Sequence, residues 1–191
     1  MLANAGVPML FVQMPFLLMA LPLVIAIEAV LCRHWLNVPW KRAWVVTTIA
    51  NAISTLAGFP ILWIALVIIQ LLAGGGGEPG LAEPWYSIYS VTVQAAWLLP
   101  DGKRLYWMVP TAGIVLLIPA FFVTVLIEGI VYRKAFGEAC PHGKVTRATW
   151  GMHFITYGLL FIAAVALLLS SIRHHRRASD AETETSQVGR S

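Results

Sequence analysis

The sequence predicts an all-α integral membrane protein: a four-helix transmembrane bundle built from two parallel-repeat helix pairs, with an interfacial element in the loop between the pairs. Three observations carry this. Of 191 residues, 59% are hydrophobic and only 12% are charged, with a mean hydropathy of +0.76; a soluble domain is usually about half apolar and a quarter charged. Four apolar runs reach the about 20 residues needed to cross a hydrocarbon core. Two decapeptides, IAIEAVLCRH at 25–34 and VLIEGIVYRK at 125–134, echo each other, with a glutamate in an apolar run and an arginine five positions on.

The spans fall at about 7–32, 43–72, 106–132 and 148–171, within a single polytopic domain over 1–173. The first twenty residues hold no Lys or Arg. A secretory signal opens with a basic segment, so the first run reads as a retained helix. The second run has about thirty residues, more than a straight span requires, and must tilt or kink. Gly58 and Pro60 supply a place for the kink; Pro15 and Pro22 do so in the first run, Pro110 and Pro119 in the third.

Residues 73–105 form a connection. It opens on GGGGEPG, a flexible break, and continues through a partly apolar stretch rich in Trp and Tyr. Trp85, Tyr86, Trp97 and Trp107 suit the membrane–water boundary, where a ring has one oily and one wet side. An interfacial helix or lid is the first expectation and a fifth short span the alternative. From His174 to the end, one valine is the sole large apolar residue. Such a polar tail, 174–191, cannot bury enough surface to fold and is expected to be disordered.

Lys and Arg set the orientation. Arg33, Lys41, Arg42, Arg133, Lys134, Lys144 and Arg147 fall in the loops after the first and third runs; Lys103, Arg104, Arg173, Arg176 and Arg177 fall on the other side. The majority side is cytoplasmic, so the N-terminus is expected outside and the basic loops inside, in a cell (plasma or inner) membrane. The net charge of +4 comes from these clusters rather than from a basic patch interleaved with stacking aromatics, so nucleic acid is not an expected partner. The expected partners are the lipid bilayer and other membrane subunits or a second copy of the chain.

The two decapeptides anchor a repeat. Glu28 and Glu128, and Arg33 and Arg133, are 100 positions apart. In the following helices an offset of 102 brings Thr47 onto Thr149, Asn51 onto His153, Ser54 onto Thr156 and Thr55 onto Tyr157. The second copy therefore has two extra residues in its basic loop. An even number of spans separates the copies, so they run in the same direction, about an axis along the membrane normal.

At 100° per residue, Thr47, Thr48, Asn51, Ser54, Thr55 and Gly58 share one face, as do Thr149, His153, Thr156 and Tyr157. Small and hydroxylated residues on such faces serve first as helix-packing stripes. The glutamates are the sharper signal, because an ionisable group inside a span is costly unless partnered. Glu28 is about 7 Å from Arg33 along the helix, close enough to the boundary for snorkelling. Same-helix ion pairs need spacings of three or four, however, and the arginines are at five. The glutamates' partners therefore belong to other helices: His153 for Glu128, at matching depth, and the Thr47, Thr48, Asn51 face for Glu28. Glu28, Asn51, Glu128 and His153 are the candidates for a ligand or proton path.

Other chemistry is thinly supported. Cys140 and His142, with Cys32 and His34, do not form the paired spacing of a zinc site, so no metal is expected. One intramembrane histidine, His153, does not suit bis-histidine haem, and no cofactor is expected. The chain lacks a Gly-x-Ser-x-Gly elbow or Ser-x-x-Lys pattern, so no catalytic residue is assigned. Three functions follow, in order. The first is a non-enzymatic accessory or structural membrane component. The second is a proton- or cation-coupled transporter or channel using Glu28, Glu128 and His153. The third is an enzyme at the membrane interface.

Overall fold

A computed structural model describes residues 9–72, 88, 92 and 105–188. It contains four long helices: α1 (Met9–Leu36), α2 (Trp40–Leu72), α3 (Leu105–Phe136) and α4 (His142–Val188). Each includes a stretch long and apolar enough to cross a membrane: Gln13–Leu36, Trp40–Ile69, Tyr106–Phe136 and His142–Ala178. Consecutive helices pack side by side, α4 returns against α1, and α1 touches α3 across the middle. The result is a four-helix bundle whose exposed side chains are largely Leu, Ile, Phe and Trp, as a lipid-facing surface requires.

The helices run further than the expected spans, and the basic residues assigned to loops lie within them. The connections shrink to residues 37–39 and 137–141. Lys and Arg are good helix formers, so the chain stays helical until something stops it. After α1 the stop is Asn37, at φ 56°, the left-handed conformation that Asn tolerates better than most residues. After α3 it is Gly137, where a Cβ would lie 2.5 Å from the Arg133 carbonyl oxygen. Proline then opens each return helix: Ala43 N–H donates to Pro39 O (3.0 Å) and Val145 N–H to Pro141 O (3.2 Å). Pro lacks the N–H that a first helical turn leaves unused. Helices α1, α2 and α3 continue through their internal prolines.

The tail needs a correction. α4 continues to Val188, through most of the segment expected to be disordered. Extending a helix avoids the cost of nucleating one, and the start of the tail is tied down. Ser171 Oγ donates to Tyr106 O (2.7 Å), and His175 stacks on Tyr106 with ring centroids 3.9 Å apart. The expected interfacial element, with Trp85, Tyr86 and Trp97, lies outside the described residues, apart from helical backbone at residues 88 and 92.

Two apolar clusters fill the bundle. One, near the short turns, contains Cys32, Leu36, Ala50, Tyr132, Phe136, Val145 and Met152. The other, towards the opposite end, contains Leu10, Leu62, Leu66, Met108, Ala112 and Leu116. Glu28, Ser54 and Glu128 fall between the two sets along α1, α2 and α3, so a polar layer is enclosed between apolar ones. The turns that set this register are testable. Asn37→Gly should preserve thermal stability in detergent, whereas Asn37→Ala should cost about 1 kcal/mol, because a Cβ without a side-chain amide is disfavoured at positive φ.

Candidate functional site

The polar layer is built from one glutamate on each of α1 and α3 and a polar face on each of α2 and α4. Glu28 and Glu128 are 1% and 0% exposed, and neither snorkels. The nearby arginines are engaged elsewhere: Arg33 lies over the Trp40 ring, Arg42 donates to Ala135 O (2.6 Å), and Arg133 donates to Gly129 O (3.0 Å). The glutamates depend instead on four side chains from the facing helices.

Asn51 donates through Nδ2 to Glu28 Oε2 (2.7 Å) and, at longer range, to Glu128 Oε2 (3.4 Å). The same nitrogen reaches Thr47 O (3.1 Å), a group that only accepts, and this fixes the amide orientation. His153 occupies the matching position on α4. Its Nδ1 lies 2.8 Å from Thr149 O, so that nitrogen carries the hydrogen, and Nε2 faces Glu128 Oε2 at 3.4 Å. Two hydroxyls complete the layer: Ser54 Oγ donates to Glu128 Oε1 (2.6 Å) and Thr156 Oγ1 to Glu28 Oε1 (3.0 Å). The contacts come in corresponding pairs. Asn51 to Thr47 matches His153 to Thr149, Asn51 to Glu28 matches His153 to Glu128, and Ser54 to Glu128 matches Thr156 to Glu28. The offsets of 100 and 102 convert each contact into its partner.

The arrangement differs from the sequence expectation in identifiable ways. The expected partner of Glu128, His153, is beside it. Glu28 meets Asn51, but Thr47 contributes a backbone carbonyl and Thr48 is exposed. One residue is 100° of rotation, enough to carry Thr48 off the face shared by Thr47, Asn51 and Ser54. Ser54 and Thr156, expected only to pack, bond the glutamate of the opposite helix pair. Thr55 and Tyr157 are half-buried, and Tyr157 OH pairs with Thr124 Oγ1 (2.8 Å). Gly58 is buried, and a Cβ there would meet Val123 at ordinary contact distance. Thr149 Oγ1 bonds the Val145 carbonyl of its own helix (3.0 Å).

The sequence pattern gives no site role to Tyr132, and Cys32 enters it only among the residues without zinc-site spacing. Both are fully buried, one turn beyond each glutamate and on the same face. The Thr47 hydroxyl lies beside both of them, yet Thr47 Oγ1 and Tyr132 OH complete no hydrogen bond of good geometry. Among the described residues, the potential metal ligands that gather are not Cys140 and His142 but Glu28, Glu128 and His153, whose ligand atoms all lie within 4.8 Å of one another.

These features define an all-α bundle of four helices, each long and apolar enough to cross a membrane, around a buried acid–imidazole centre. Comparison of the chain with protein-family models, with curated proteins and with solved structures finds no match. The hydroxyl contacts to the glutamates carry measurable weight. Ser54→Ala and Thr156→Val should each destabilise the protein by about 1.5–3 kcal/mol, the range for a hydrogen bond to a charged group. Ser54→Ala should have the larger effect because its bond is shorter; unfolding in mixed micelles would measure both.

Proposed function

We propose that this protein is a small cation- or proton-coupled membrane carrier, non-enzymatic, in which Glu28, Glu128 and His153 form the binding centre. The observation that carries this reading is the convergence of three ionisable groups, fully buried, where the two helix pairs meet. Two carboxylates in a low-dielectric interior must either take up protons or be balanced by a cation. Coupling-ion sites in duplicated transporters sit at the interface between the repeats. On this reading α1–α2 and α3–α4 are the two parallel repeats, the bundle resides in a plasma or inner membrane, and the short basic turns face the cytoplasm.

Sequence alone favours an accessory or structural component. One feature still supports that as a second reading: the Ser54 and Thr156 hydroxyls tie each pair to the other's glutamate, as a clamp would. Its partners would be other subunits or a second copy of the chain. We rank transport first because two carboxylates are an expensive way to hold helices together; neutral amides and hydroxyls do so without the desolvation cost.

The test is a proteoliposome assay of proton and cation flux. Wild type should exceed empty liposomes, and Glu28→Gln combined with Glu128→Gln should fall to their level. Wild-type flux no greater than that of empty liposomes would leave the clamp as the better reading.

A further inference from the structure

The position of His153 Nε2 narrows the identity of the cation. Nδ1 is committed as a donor to the Thr149 carbonyl. Nε2 belongs to a fully buried residue, has no hydrogen-bond partner, and points at the Glu128 carboxylate from 3.4 Å. A bare lone pair facing a carboxylate oxygen is repulsive, so Nε2 and Glu128 must share either a proton or a metal cation. A backbone carbonyl on Nδ1 and a free Nε2 is also how proteins orient a metal-binding imidazole.

We propose that Glu28, Glu128 and His153 form a site for one divalent first-row transition-metal cation, Zn2+ or Mn2+, bound through Nε2 and one oxygen of each carboxylate. This deepens the carrier reading and rests on it for its role, though not for its geometry. The 3.4 Å separation of Nε2 and Glu128 Oε2 equals the edge of a tetrahedron with bonds of about 2.1 Å. All the ligand atoms lie within 4.8 Å of one another. Closing the longest separation to that edge takes at most about 1.4 Å (4.8 less 3.4), within reach of a glutamate side-chain adjustment. The charges also close: two carboxylates and a neutral imidazole balance a divalent ion, leaving a neutral centre in the membrane interior. The donor set of one nitrogen and two carboxylate oxygens suits Zn2+ and Mn2+, and its nitrogen selects against Mg2+. Asn51, whose amide nitrogen faces the carboxylates, is a positioning donor rather than a ligand, and so are Ser54 and Thr156.

The test uses full-length protein purified in detergent and stripped with chelator, with Zn2+ or Mn2+ added alone and uptake read by equilibrium dialysis and elemental analysis. Wild type should take up about one ion per chain. His153→Asn and Glu128→Gln should each bind more than a hundredfold more weakly. Ser54→Ala, which loosens a ligand without removing it, should lose about 10- to 100-fold. His174→Ala with His175→Ala should bind as wild type does. Wild-type thermal stability should rise with Zn2+ and not with Mg2+, a readout that remains decisive if a ligand variant fails to fold. Folded wild type that takes up neither ion, a wild-type melting temperature unmoved by Zn2+, or uptake unchanged in His153→Asn would overturn the assignment. The two proposals can fail separately. One ion per chain without flux removes the carrier and keeps the site; flux that depends on the glutamates without metal uptake removes the site and keeps the carrier.

Discussion

A carboxylate inside a bilayer cannot call on water, so every donor it uses must be supplied by the protein. Glu28 and Glu128 impose that condition twice, and much of the bundle can be read as the response. Asn51 and His153 must lie at the same depth on the facing helices. Ser54 and Thr156 must lie one turn further along. Glu28 takes donors from both α2 and α4 and Glu128 takes its donors from α2, so neither helix pair satisfies its own carboxylate alone. The short turns at residues 37–39 and 137–141 fix the register that makes these depths agree. The apolar clusters on either side of the layer strengthen each contact by excluding water.

The lipid-facing surface asks little of the sequence, whereas the interior is specified residue by residue. On α2, Ala43, Thr47, Ala50, Asn51, Ser54 and Gly58 are all buried and small, which lets α1 and α3 approach closely enough for glutamates to reach across. On α4, Gly151 performs a related service: a Cβ there would stand 2.7 Å from the Trp35 ring. Close approach and polar bonding are thus the same design problem, since a hydrogen bond across a helix interface needs the backbones near one another.

Four helices were legible from hydropathy alone, because a membrane span is the strongest signal that composition can carry. The glutamates' dependence on other helices was legible from the five-residue spacing to the arginines. Helix ends were not, because Arg33 and Arg133 mark where charge begins rather than where the helix stops; Asn37 stops α1 by its left-handed backbone, and α3 ends at Gly137, where a Cβ would crowd the Arg133 carbonyl. The inward role of Ser54 and Thr156 was only half visible. Periodicity placed them on the right face, but a hydroxyl that packs and one that bonds a carboxylate look alike in sequence. The gathering of Glu28, Glu128 and His153 was not visible as a cluster because metal spacing rules describe residues close in sequence, whereas these three come from three helices.

Each glutamate stands eight residues before the end of its helix, at Leu36 and at Phe136. That places the centre about 12 Å in from the short turns, roughly two-fifths of a ~30 Å hydrocarbon core. A monovalent charge moved between the turns and the centre therefore crosses a similar fraction of any transmembrane voltage, worth about 0.9 kcal/mol per 100 mV, and a divalent ion twice that. On the carrier reading, occupancy of the centre is accordingly an electrical quantity as well as a chemical one, and an energised membrane would fill or empty it without any change in concentration.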